Sequence, residues 1–114
     1  MKYVAGKKGA ELLRCYREAD IARFRYKHEL LEAIEKFTHD FYEDYNMAFD
    51  VFLNNSGKYV VFHLYNPKEF SDDFIKSFCK EYDVTFESVT VEIVKDYEGY
   101  KHQGLVTYLF EIIK

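Results

Sequence analysis

Two periodicities divide the chain. From about Glu11 to Phe41 no Gly or Pro interrupts, and Leu30, Ile34, Phe37 and Phe41 recur at spacings of four, three and four, which stack on one helical face. Upstream, Leu12, Tyr16, Ala19, Arg23, Tyr26 and Leu30 alternate spacings of four and three, a short seam with one charged member. Thirty-one residues at about 1.5 Å each make a rod of roughly 46 Å, far longer than a globule with a radius of gyration of about 13 Å. The pattern therefore predicts either a helix that breaks, with Asp20 as the N-cap of its second part, or one that projects onto another molecule.

Beyond residue 46 the period shortens to two. Met47, Phe49, Val51 and Leu53 alternate with Ala48, Asp50 and Phe52. Asn54-Asn55-Ser56-Gly57 supplies turn chemistry, Tyr59 to Tyr65 reads as a second strand, and Asn66-Pro67 ends it. Ser71 is placed to cap a helix with Asp72 and Asp73 in its first turn and Phe74, Ile75, Phe78 and Cys79 inward. A long strand runs from Val84 to about Lys95, and its apolar phase slips between Phe86 and Val89, which predicts a bulge at Glu87-Ser88. A polar loop through Gly99 to Gly104 precedes a last strand, Leu105 to Ile113.

Residues 37–50 and 74–87 align at a constant offset, with Phe37/Phe74, Phe41/Phe78, Tyr45/Tyr82 and Phe49/Phe86 identical. Each unit reads as helix, turn, hairpin. Two such units define an α+β fold, αββαββ, with a four-stranded antiparallel sheet, helices on one face and a long N-terminal helical segment. The whole chain, residues 1–114, reads as one domain, its first nine residues basic and irregular.

Composition sharpens the picture at two points. Tyr and Phe number eleven each and Trp is absent, an unusually high aromatic content of 19%. The net charge of −4 conceals a division. Residues 1–28 hold eight basic against three acidic residues, a formal +5, and all four arginines fall between Arg14 and Arg25. The remaining residues hold eight basic against 17 acidic, a formal −9. Cys15 and Cys79 are too few for a disulfide framework and lack zinc spacing. Neither a secretory signal nor an apolar run long enough to span a bilayer is present, so the expectation is a cytoplasmic protein with no membrane partner.

Candidate chemistry is sparse. His28, Glu32, Glu35 and His39 share one helical stripe with metal-ligand chemistry, but that stripe is also the expected solvated side of the helix, and no metal or other cofactor is expected. Cys15 has Arg14 and Arg17 beside it but no identifiable base. Gly-rich phosphate loops, nucleophile elbows and metalloprotease motifs are missing, so catalysis is not favoured; a metal-dependent enzyme on the His/Glu stripe is one alternative. Another is nucleic-acid binding through Arg14, Arg17, Arg23 and Arg25 interleaved with Tyr16 and Tyr26; a sequence pI of 5.6 opposes it.

The strands carry the remaining signal. Val60, Phe62 and Leu64 form one face of their strand, while Tyr59, Val61, His63 and Tyr65 form the other; Leu105, Leu109 and Ile113 stand opposite Val106, Tyr108, Phe110 and Ile112. Helices cover one face of such a sheet. The second face needs the N-terminal segment, a second subunit or a partner. The expectation is a small non-catalytic protein-binding module, a homodimer with a basic protein partner, using Tyr59, Val61, His63, Tyr65, Asp50, Glu92 and Asp96. An acidic, compact chain of this kind suits the basic groove of a nucleic-acid-handling enzyme, as phage and mobile-element inhibitors do.

Overall fold

A computed structural model describes residues 2–54, 57–65 and 69–112. Asn55, Ser56, Asn66, Pro67 and Ile113, assigned above to turns and to the end of the last strand, lie outside the described residues. Among the described residues there are three helices and four strands: α1 (Gly9–Glu18), α2 (Arg23–Tyr42), β1 (Phe49–Leu53), β2 (Tyr59–Leu64), α3 (Asp72–Tyr82), β3 (Val84–Lys95) and β4 (Lys101–Ile112). The sheet is antiparallel with order β1-β2-β4-β3, so the second strand of each αββ unit lies at the centre.

The long helical pattern breaks, the first of the two outcomes its length allows. Residues 19–22 separate α1 from α2. Asp20 is not the N-cap: Ala22 holds that position without a side-chain cap, and the Asp20 carbonyl accepts from Arg23 N at 3.2 Å. The seam runs across the break, with Leu12, Tyr16, Ala19, Tyr26 and Leu30 all buried. Arg23, its charged member, turns outward and lays its guanidinium over the Tyr16 ring, Cζ 4.9 Å from the centroid. The first residues dock on α2 as well: the Tyr26 hydroxyl accepts from Val4 N at 2.9 Å, and Tyr3 donates to Glu29.

α3 starts as its sequence predicts, with Ser71 Oγ accepting from Phe74 N at 3.2 Å. Gly9 opens α1 at φ +51°, and a Cβ there would lie 2.6 Å from the Glu81 carbonyl. Glycine therefore sets how closely α1 approaches the end of α3. Phe62 of β2 sits at the centre of the core, with the rings of Phe70, Phe78 and Phe110 at 5.1, 5.3 and 5.7 Å. Phe41, expected inward, is partly exposed and packs edge-on against Phe74 at 5.2 Å.

β3 and β4 depart from expectation in length and register. The predicted bulge is present as a register shift between Phe86 and Ser88, and a second lies between Val91 and Ile93. β4 begins at Lys101 rather than Leu105, because the polar residues before Leu105 pair with β3. β2 pairs with β4 only as far as Val106, so the β3–β4 hairpin runs on as a two-stranded arm. The arm draws the molecule out to 56 × 29 × 22 Å, with a radius of gyration of 15.5 Å.

Candidate protein-docking face

All three helices bury their apolar residues in a single cluster with Val60, Phe62, Leu64, Val106, Tyr108, Phe110 and Ile112. α1 thus joins the helix layer and does not cross to the other side of the sheet. On that other side, among the described residues, no helix packs.

Strand alternation fills this face in rows. Phe52, Val61, Leu109 and Ser88 are successive cross-strand partners, as are Asp50, His63, Thr107 and Thr90, and as are Tyr59, Glu111 and Thr85. Val61 is only 5% exposed yet stands outside the main core cluster. Phe52 is partly exposed and meets His63 edge-on at 5.0 Å. Tyr65 lies exposed at the border and donates to Asp50, and that hydrogen bond to a carboxylate raises the phenol above its ordinary pKa. The hydroxyl therefore stays a neutral donor throughout the physiological range.

The structure brings Asp50, Tyr59, Val61, His63 and Tyr65 together on one surface. Glu92 and Asp96 are elsewhere. Glu92 occupies the second bulge, its carboxylate 3.4 Å from Leu105 N. Asp96 builds the arm's turn: one oxygen accepts from Glu98 N and Tyr100 N at 2.9 and 3.0 Å, and the other meets His102 Nε2 at 2.9 Å. The His102 contact, with further backbone N–H donors, holds this carboxyl below the usual aspartate range. Phe52 and Leu109 complete the apolar strip. Their signal was in the alternation, since each is the cross-strand neighbour of Val61.

An acidic group gathers at one end of the strands. The Tyr42 hydroxyl accepts from Ser71 N at 3.0 Å, joining the end of α2 to the start of α3 beside the first residues of β1. Asp40, Glu43, Asp44, Asp50, Asp72 and Asp73 collect there. Arg23 lies beside Gly57, in the β1–β2 turn at the opposite end.

The other sequence candidates disperse. Tyr16 and Tyr26 are core residues, so neither ring faces solvent for a base to stack on. Arg14 and Arg17 line an open cleft of about 490 Å³ with Leu13, Tyr82 and Ile112, and Glu18 and Asp83 in the same wall balance the two cations. His28 Nε2 pairs with Glu32 at 2.8 Å, while His39 turns toward Phe49 and bonds the Asp44 carbonyl through Nδ1 at 2.9 Å. Among the described residues no group of three or more His, Cys, Asp or Glu is placed to hold a metal ion. Cys15 is buried, and burial pushes the Cys79 thiol up. Among the described residues no helix is long and apolar enough to cross a membrane. Comparison with models of protein families, with curated proteins and with solved structures finds no match to this chain.

Proposed function

We propose that this chain is a small non-catalytic protein-binding module that docks through the helix-free face of its sheet. The supporting observation is the apolar strip Phe52–Val61–Leu109, which crosses three strands with no helix above it. Burying what Phe52 and Leu109 leave exposed is favourable by about 25 cal/mol per Å² of apolar area, while Val61, already covered, fills the strip between them. Asp50 and Glu111 flank the strip and the acidic end lies beyond Asp50, so the partner presents apolar side chains bordered by basic ones. A basic groove of the kind that nucleic-acid-handling enzymes use is such a surface. The test is capture of the partner from the native host by tagged chain, followed by affinity measurements. Phe52→Ser is expected to weaken the complex roughly tenfold or more, and Asp50→Asn with Glu111→Gln to weaken it and flatten its salt dependence. A complex indifferent to both changes contradicts the proposal.

A second reading, self-association, is favoured by β3. This strand is an edge strand of twelve residues on which Val89, Val91, Ile93 and Val94 are exposed. Two-fold antiparallel pairing about Thr90 sets Val89 against Val91 of the second copy twice, and Thr90 against itself. Light scattering should then report a dimer that Thr90→Pro converts to a monomer. A wild-type monomer at high concentration rejects this seam without touching the proposal for the sheet face.

A further inference from the structure

Among the described residues, the most exposed large apolar side chains outside the arm's turn lie at the α1–α2 corner. Ile21 is 96% exposed and Phe24 is 81% exposed, three positions apart across the start of α2. Their outward aim is fixed by what is buried around them: Ala19, Ala22 and Tyr26 face the core, so the intervening positions must leave it. Phe24 has a cation on either side. Arg23 rests on the Tyr16 ring and Arg25 on the Tyr3 ring, Cζ 3.9 Å from the latter centroid, and Lys27 follows on the same exposed stretch. Those two guanidiniums are thus held beside the apolar tip.

We propose that this corner is a peripheral docking site for an anionic lipid surface. Ile21 and Phe24 enter the boundary between headgroups and acyl chains, and Arg23, Arg25 and Lys27 meet lipid phosphates. Charge complementarity supports it: the corner lies in the segment of formal +5, where Arg23, Arg25 and Lys27 outnumber exposed Asp20 beside Ile21, and the acidic group around the start of β1 lies at the far end of the strands. Shape and chemistry select lipid over other anionic partners. Ile21 and Phe24 stand almost wholly out of the molecule, and a fluid interior accepts an aliphatic and an aromatic side chain together. A single-stranded nucleic acid stacks successive bases on several rings, yet Phe24 is the one open ring at the corner: Tyr16 and Tyr26 are buried, Tyr3 is covered by Arg25, and Ile21 offers none. The cleft of about 260 Å³ beside Phe24 has Glu29 and Glu32 in its wall, a poor seat for phosphate, so the contact is the tip itself. Lack of a spanning helix bears on insertion across a bilayer; surface docking asks only for this tip and its collar. The inference is independent of the sheet face.

The chain has no Trp, so Phe24→Trp places a single reporter at the tip. Vesicles of equimolar phosphatidylcholine and phosphatidylglycerol should shift its emission to the blue and shield it from acrylamide at low salt, and phosphatidylcholine alone should do neither. Sedimentation of the wild-type chain with the same vesicles checks that the Trp did not create the binding. Ile21→Ser should weaken the partition, and Lys27→Gln should weaken it about fivefold. Unchanged emission and no sedimentation with the anionic vesicles overturns the proposal, as does equal binding to both vesicle types. A blue shift caused by oligothymidylate or by raising protein concentration, with none from vesicles, assigns the corner to nucleic acid or to a second copy and overturns it too.

Discussion

Tyr108 is buried, and its hydroxyl accepts from the backbone N–H of Phe70 at 2.8 Å. Removing that oxygen leaves a buried donor unpaired, which costs about 1–3 kcal/mol. Tyr108→Phe should therefore lower unfolding free energy by that amount in a denaturant titration, even though Phe is the more apolar residue; a neutral or stabilising result would mean that the Phe70 N–H finds water instead. Gly9 makes a sharper case. Its positive φ acts together with the 2.6 Å that would separate an added Cβ from the Glu81 carbonyl. Gly9→Ala should cost roughly 1–3 kcal/mol by the same measurement. An unchanged midpoint would show that α1 is free to shift off α3.

At the scale of elements, the arm is held by its turn more than by packing. Two strands alone are marginal in water, and Tyr97 at the tip is 98% exposed. Asp96 supplies the order there, through His102 and the backbone N–H groups of Glu98 and Tyr100. Its folded pKa lies below the ordinary 3.8, so its contribution is complete above that value and is lost as pH falls through the lowered folded value. Amide exchange at Glu98 and Tyr100 should accelerate in that acid window beyond the intrinsic rate, and Asp96→Asn should remove the pH dependence. Exchange that tracks the intrinsic rate throughout would show the turn stands without Asp96. The same elements show what was legible in the chain. The bulge at Glu87 could be read because Val84 is buried in the helix-covered core and Phe86, partly exposed, still lays its ring 5.7 Å from Phe110 on the same side, which enforces the period of two. The bulge at Glu92 could not, since Val91, Ile93 and Val94 are all exposed and no core selects their phase. For the same reason β4's first four residues read as loop. Length alone leaves a broken helix and a projecting one equally open, and the cap is not legible either, because Ala22 closes the turn through the backbone.

For the molecule as a whole, five of the seven expected docking residues fall on one surface because strand alternation determines a side chain's face. Glu92 and Asp96 lie beyond the strand segments whose alternation the core enforces, and both are used inside the arm. On the proposed reading, another protein covers the helix-free face in the working assembly. A photo-reactive phenylalanine analogue at position 52, with a control at exposed Lys36 on α2, tests this in the native host. The expected result is a discrete protein adduct at 52, competed away by untagged chain and absent at 36. No adduct at 52, or equal adducts at both positions, would contradict it.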